Sequence, residues 1–237
     1  MASLGHQKNM GSLMTLGIGG IFLGIVMITL LEEYVKYDVS KVSLSSYLNL
    51  THQLLKSLGV KGKGIYIPPR DGFKEGRVFV PLLPNQQFSL PKMQDTLFVT
   101  SVDKEEEIGI LFLPSGYELV KLFEEHIEGE IGSLTPELLE GELSGVLQEL
   151  ELAKGVIVRR DDDGYRVDIV GPRSREICDK YWDSMLCQQV GCALCSAVVL
   201  SLAMCTGKVL ELKGVSKDKR GISLDLKEVR VPMENEG

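Results

Sequence analysis

Four cysteines between positions 178 and 195 are the residues of this 237-residue sequence whose type and spacing suit chemistry: Cys178, Cys187, Cys192 and Cys195. The last three have the spacing C-x4-C-x2-C, which plant-type ferredoxins use for three ligands of an iron-sulfur cluster. Thiolates are soft donors, so the set is a candidate site for an iron-sulfur cluster or zinc. The same stretch supports an opposing expectation. Cys192, Cys195 and Cys205 fall in CALCSAVVLSLAMC, an apolar run in which unreactive cysteine packs as a small hydrophobe. Cluster loops are usually irregular whereas this run is a strong helix former, so burial without a cofactor is the stronger expectation. Cys192-Ala193-Leu194-Cys195 is also the spacing of a redox pair, though without the β-α-β setting of a thioredoxin-like motif. The odd total of five cysteines, four of them close together, favours reduced thiols over a disulfide framework.

A second candidate lies just upstream. Gly171-Pro172-Arg173-Ser174-Arg175-Glu176 reads as the end of a strand and the start of a helix, which would set two guanidinium groups beside free backbone donors. Arg173, Ser174 and Arg175 are therefore candidate anion ligands, although such charges more often solvate a surface turn. Tyr181 and Trp182 either line a nearby pocket or anchor the core. His6, His52 and His126 are too scattered for hydrolytic zinc chemistry. Asp161 to Asp163 lack the spacing of a calcium loop and read as a hairpin turn, and Lys61-Gly62-Lys63-Gly64 does not satisfy a phosphate loop.

The elements that must position these residues begin with a membrane anchor. Positions 11–31 (GSLMTLGIGGIFLGIVMITLL) carry no charge, and a helix of that length, rising about 1.5 Å per residue, crosses a hydrocarbon layer of roughly 30 Å. The run is too long for the apolar region of a cleaved signal peptide. The expected organisation is a tail over 1–10, the transmembrane helix over 11–31, a polar stem over 32–42 and a soluble region over 43–237. Division of that region into lobes at 43–128 and 135–237 is a finer expectation. Gly20 and Gly24 offer a close-packing face for self-association, against ordinary membrane-helix glycine as the plainer reading. Lys8 precedes the span and Lys36 and Lys41 follow it, which leans towards a single-pass cell-membrane protein with a cytoplasmic C-terminal domain.

Beyond the stem, Leu44, Tyr47, Leu48, Thr51, Leu54, Leu55 and Leu58 predict an amphipathic helix stopped by Gly59. GIYIPP with RVFVPL, and TLFVTSV with IGILFLP, predict two strand pairs, the prolines suggesting sheet edges. Ser115 to Glu118 form a capping box opening one helix, and Thr135-Pro136 opens another with Leu139, Leu143, Val146, Leu147 and Leu150 on one face. VIVRR and YRVDIV flank a hairpin turn, and KVLELKGV and ISLDLKEV repeat that logic after Gly207. The class is α+β: antiparallel hairpins packed with amphipathic helices.

Hydrophobic residues make up 44% and charged residues 25%, near the average for globular chains, so neither disorder nor a many-span transporter is indicated. A net charge of -7 without a basic stripe excludes a nucleic-acid partner as an expectation. The order of the N-terminal span, GIYIPP, RVFVPL, TLFVTS, FLPSGYELVKLFE, VDIVGPRS and the late helix ending TGKVLEL resembles an uncharacterised archaeal, notably haloarchaeal, membrane-anchored family of unknown function. That resemblance implies a membrane location and an archaeal origin. It does not extend to the cysteine cluster. The final helix and TGKV strand also resemble the end of a vinyl-reductase-type small-molecule-binding domain, which implies fold and not function. The leading functional expectation is a membrane-tethered binding, sensor or scaffold domain without catalysis, partnered by the lipid bilayer and by a membrane or cytoplasmic protein. The alternative is a metal or redox protein using the Cys178 to Cys195 set.

Overall fold

The first proline of the chain is Pro68, and the long stretch before Gly59 consists largely of residues a helix tolerates, so nothing local interrupts it. In the computed structural model, which describes residues 3–70, 74–84, 98–99, 108–182 and 184–229, this stretch is one helix, α1 (Ser3–Ser57). The expected stem over 32–42 is therefore helical. Gly59 follows at φ +69, the left-handed turn that ends a helix. Two compact units divide the chain, Met1–Thr51 and His52–Gly237.

In the first unit, side chains are described for 14–29, 39 and 41–51, and those of 11–13 and 30–31 lie outside the described residues. Leu16, Ile21, Phe22 and Ile28, spread around the helix, are 60–80% exposed, an apolar surface that water would penalise and lipid would not. Among the described residues, however, the stretch long and apolar enough to cross a membrane is Leu186–Thr206, in the middle of the chain, while Met14–Thr29 is shorter. Leu186–Thr206 is mostly buried inside its own unit, as the core helix of a folded domain would be.

The second unit contains β1 (Ile65–Ile67), β2 (Arg77–Pro81), β3 (Phe98–Val99), β4 (Gly109–Phe112), α2 (Tyr117–His126), a 3-10 turn at Ile131–Ser133 and α3 (Pro136–Glu149). It continues with β5 (Gly155–Asp161), β6 (Gly164–Val170), α4 (Arg175–Lys180), α5 (Leu186–Gln189), α6 (Ala193–Thr206), β7 (Val209–Lys217) and β8 (Gly221–Val229). The strands form one sheet in the order β3-β4-β2-β1-β7-β8-β6-β5, with every pairing antiparallel. The α+β class and all four predicted strand pairs are present. The edge expectation for GIYIPP and RVFVPL is corrected: β1 lies between β2 and β7, and β2 between β4 and β1. Their prolines stand at or just beyond strand ends, where a missing N–H interrupts little of the ladder. Residues on either side of 128–134 share this sheet, because Ile65 and Tyr66 pair with Glu211 and Leu210.

Alternation sets the faces. In β6 and β8, Tyr165, Val167, Ile169, Ile222, Leu224 and Leu226 are buried while the residues between them and after them, Arg166, Asp168, Val170, Ser223, Asp225 and Lys227, are more exposed. In β1 all three residues are buried, and Ile65 and Ile67 join Phe79, Leu111 and Val209 in a separate apolar cluster. The central element is α6, whose residues Leu194 to Ala203 are all buried. A helix apolar around its whole circumference has to be enclosed, and α6 packs against α2, α3, β1 and β7. Gly116 makes the α2 contact possible, since a Cβ there would sit 2.2 Å from the Ala197 amide nitrogen and 2.3 Å from the Ala193 carbonyl oxygen. The capping box predicted there does not form. Gly116 is the N-cap of α2, and Ser115 Oγ donates instead towards the Gly191 and Val190 carbonyls at 3.3 and 3.4 Å. At α3 the prediction holds, with Thr135 Oγ1 accepting from the Leu138 amide at 3.4 Å and Pro136 opening the helix.

Candidate thiol centre

The loop joining α5 to α6 brings the cysteines together. Val190 and Gly191 close α5 by donating to the Leu186 carbonyl at 2.9 and 3.0 Å, and Gly191 then turns the chain with φ +66. That left-handed turn, easy for glycine, delivers Cys192 to the N-cap of α6 in extended conformation. Distant residues hold the loop in place. Tyr66 Oη donates to the Val190 carbonyl at 2.8 Å, Gln189 Nε2 donates to the Val60 carbonyl at 2.8 Å, and the Gly64 amide donates to the Gln188 carbonyl at 3.0 Å. Gly64 must be glycine for this approach, because a Cβ would meet the Gln189 carbonyl oxygen at 2.0 Å. Burial pushes the Tyr66 hydroxyl well above its usual range, so it stays a neutral donor.

Cys195 lies on the first turn of α6, one turn after Cys192, and Cys178 is brought over them by α4. The three sulfur atoms lie within 4.8 Å of one another, and Cys178 Sγ is 3.8 Å from Cys192 Sγ. All three residues are buried, at 4–7% exposure. Their protonation is shared unequally. Thiols of Cys178 and Cys195 directed at Cys192, assisted by the backbone amides of Cys195 and Leu194, hold the Cys192 thiol well below its usual range. Cys178 is pushed up, chiefly because its proton is held in the contact with Cys192, and Cys195 is pushed up chiefly by its contact with Cys178 and then by that with Cys192. Three sulfurs converging in this way are a donor set from which a soft cation would displace the protons.

Cys187 stands apart from this trio. It is half-buried, its thiol lies 3.8 Å from the Tyr181 carbonyl as a donor, and burial pushes it up to about 11. It nevertheless lines the same small void, of about 10 Å³, as the other three, together with Trp182 and Gly191. Val215 of β7 and Ile222 and Leu224 of β8 complete the lining from the sheet. Four sulfurs at about 2.3 Å around one zinc ion stand roughly 3.8 Å apart, the edge of a tetrahedron. The Cys178 to Cys192 separation equals that edge. The void is about the size of one water-sized sphere, which suits a single ion and not the several atoms of an iron-sulfur cluster.

Cys205 belongs elsewhere: its Sγ donates to the Leu134 carbonyl at 3.1 Å. Arg173 pairs with Glu151, and Arg175 donates to the Asp218 and Lys219 carbonyls at 2.8 and 3.2 Å. Ser174 is the N-cap of α4 without a side-chain bond. Both guanidinium groups thus tie α4 to neighbouring turns, and α4 is a helix of 6 residues. Tyr181 is buried, with the Lys180 ammonium 5.2 Å from its ring centre, and Trp182 lines the thiol void. Sequence reasoning found all four cysteines but missed Gly191, Tyr66, Gly64 and Ser115. Of these, only Gly191, a glycine beside a helix start, carries a local signal.

A family model described as a domain of unknown function, DUF7982, matches residues 2–175, well over half of the chain. All five cysteines follow the matched segment. No curated protein and no solved structure matches.

Proposed function

We propose that this chain, which belongs to the DUF7982 family, is a membrane-tethered protein that holds one soft metal ion, with zinc as the reference ion, on Cys178, Cys192 and Cys195. One observation carries the proposal: three buried sulfur atoms within 4.8 Å of one another, one pair at the tetrahedral edge for zinc. The burial expected of unreactive cysteines in an apolar helix explains Cys195 by itself. It does not explain why a cysteine from α4 meets it and the N-cap of α6 at one point. Among the described residues no histidine, carboxylate or amine lines the void, so the thiols are its donor set, and the centre is read as one that binds or senses a soft ion.

The tether is the helix over 11–31, supported by the exposed apolar faces of Met14 to Thr29 and by the likeness of the motif order to archaeal membrane-anchored proteins. The His52–Gly237 unit then lies on the cytoplasmic side, where thiols stay reduced, free to meet a membrane or cytoplasmic protein partner. The full chain purified in detergent under reducing conditions with zinc present is expected to carry one metal per chain. Cys192→Ser is expected to lose it while keeping the wild-type circular dichroism spectrum. A metal-free wild type, or full occupancy in Cys192→Ser, overturns the centre. Release of the chain from membranes by alkaline carbonate overturns the tether.

A further inference from the structure

Two spaces meet at Cys187. The inner one is the void shared by the buried trio. The outer one, of about 90 Å³, is lined by Trp182, Cys187, Gln188 and Val215. Trp182, Cys187 and Val215 border both, so the two spaces adjoin at a thiol and an indole. Cys187 is also the one of the four that is only half-buried, and it stands outside the group of mutually close sulfurs. The indole is covered in turn: the Lys217 ammonium lies 4.5 Å from the Trp182 ring centre and is held by Asp179 at 2.7 Å. Asp179 follows Cys178 in α4, which ties this cover to the helix that supplies a ligand.

From this juxtaposition we propose that Cys187 is the port of the thiol centre, passing a metal ion between a small-thiol carrier in solution and the trio Cys178, Cys192 and Cys195, with Trp182 as the cover of the passage. The proposal rests on the metal-binding reading above. Transfer is ligand exchange without electron transfer. A carrier metal–sulfur bond breaks as Cys187 Sγ, giving its proton to water, forms a bond to the ion. The freed carrier thiolate takes up a proton and leaves. The trio sulfurs, releasing their protons to water, then replace Cys187 and the remaining carrier sulfurs one by one, and each displaced sulfur takes up a proton. The metal keeps its oxidation state throughout. A soft ion suits such a relay because thiolates bind it tightly while each exchange replaces one sulfur by another.

The test uses the full chain in detergent, loaded with zinc. Loading from a zinc complex of a small thiol and unloading to a chromophoric zinc chelator are timed for wild type, Cys187→Ser and Trp182→Ala. For Cys187→Ser, zinc content is expected to stay at the wild-type value while both rates fall about tenfold, the scale on which single groups around a metal site act. Trp182→Ala, which keeps every thiol, is expected to exchange faster than wild type. Unchanged rates in Cys187→Ser overturn the port. Loss of zinc content in Cys187→Ser also overturns it, by making Cys187 a resident fourth ligand, and leaves the metal centre intact. Unchanged rates in Trp182→Ala overturn the cover and the passage. A metal-free wild type instead removes the underlying centre.

Discussion

Two glycines bracket α6, and replacing each by alanine separates the cost of backbone geometry from the function of the thiol centre. Gly191 and Gly207 have almost the same conformation, φ +66 and +65. An added Cβ at Gly191 would meet nothing closer than 3.5 Å, to Cys195 Cβ and the Ser196 amide, and at Gly207 nothing within 4 Å. Neither alanine clashes, so both lose only the left-handed backbone term, roughly 1–2 kcal/mol each. In a unit of this size that corresponds to a fall in melting temperature of roughly 2–8 °C. Asparagine tolerates the left-handed region, so Gly191→Asn and Gly207→Asn should recover a good part of the loss. The two sites should differ in zinc binding. Gly191 sets the direction of the chain into Cys192, so Gly191→Ala is expected to weaken zinc affinity, whereas Gly207→Ala leaves it unchanged. Thermal unfolding followed by circular dichroism gives the first quantity, and competition with a chromophoric chelator gives the second. The reasoning is refuted if Gly191→Ala is as stable as wild type, if asparagine is no better than alanine at both positions, or if the two alanine variants bind zinc alike.

Gly116→Ala should be more damaging than either, because its Cβ would lie 2.2 Å from the Ala197 amide in backbone that cannot yield, and overpacking of this kind costs roughly 1–3 kcal/mol or more. A smaller melting-temperature loss than in Gly207→Ala would contradict that contact. Ser201 Oγ is buried without a hydrogen-bond partner, so Ser201→Ala should leave stability unchanged or raise it by up to about 1–3 kcal/mol, read from the denaturant midpoint. Lys208 Nζ meets the Glu228 carboxylate at 2.7 Å, yet both groups reach solvent. Lys208→Met is therefore expected to change stability by less than about 1 kcal/mol. Zinc occupancy should fall as pH is lowered from about 8 to about 5, because protons compete for the same sulfurs, and equilibrium dialysis would record it. Occupancy independent of pH would exclude thiolate ligation.

The local elements were legible because their signals are local. Alternation in VIVRR and YRVDIV, Thr135-Pro136 at a helix start and Gly207 at a helix stop each act through neighbouring backbone, and β5, β6, α3 and the end of α6 follow them. Ser115 read as a cap because its neighbours permit one. A carbonyl at Gly191, distant in sequence, was the better placed acceptor, and Gly116 had to approach α6. Prolines after IYI and RVFV read as edges because the rule concerns a lost ladder bond, and position at a strand end removes the conflict.

Residue type and number were enough to single out Cys178, Cys187, Cys192 and Cys195 as soft donors, since that property belongs to sulfur wherever it lies. Which of them meet could not be read from spacing. C-x4-C-x2-C treats Cys187, Cys192 and Cys195 as the set, whereas the fold joins Cys192 and Cys195 to Cys178 and leaves Cys187 outside that group, bordering a second space. That choice is made by contacts that are remote along the chain: Tyr66 and Gln189 anchoring the turn at Gly191, and β7 and β8 closing the void. Sequence thus determined the helix-forming and strand-forming segments and the chemistry available. Tertiary structure decided which sulfurs share one point, because convergence depends on distances between elements that no local rule encodes.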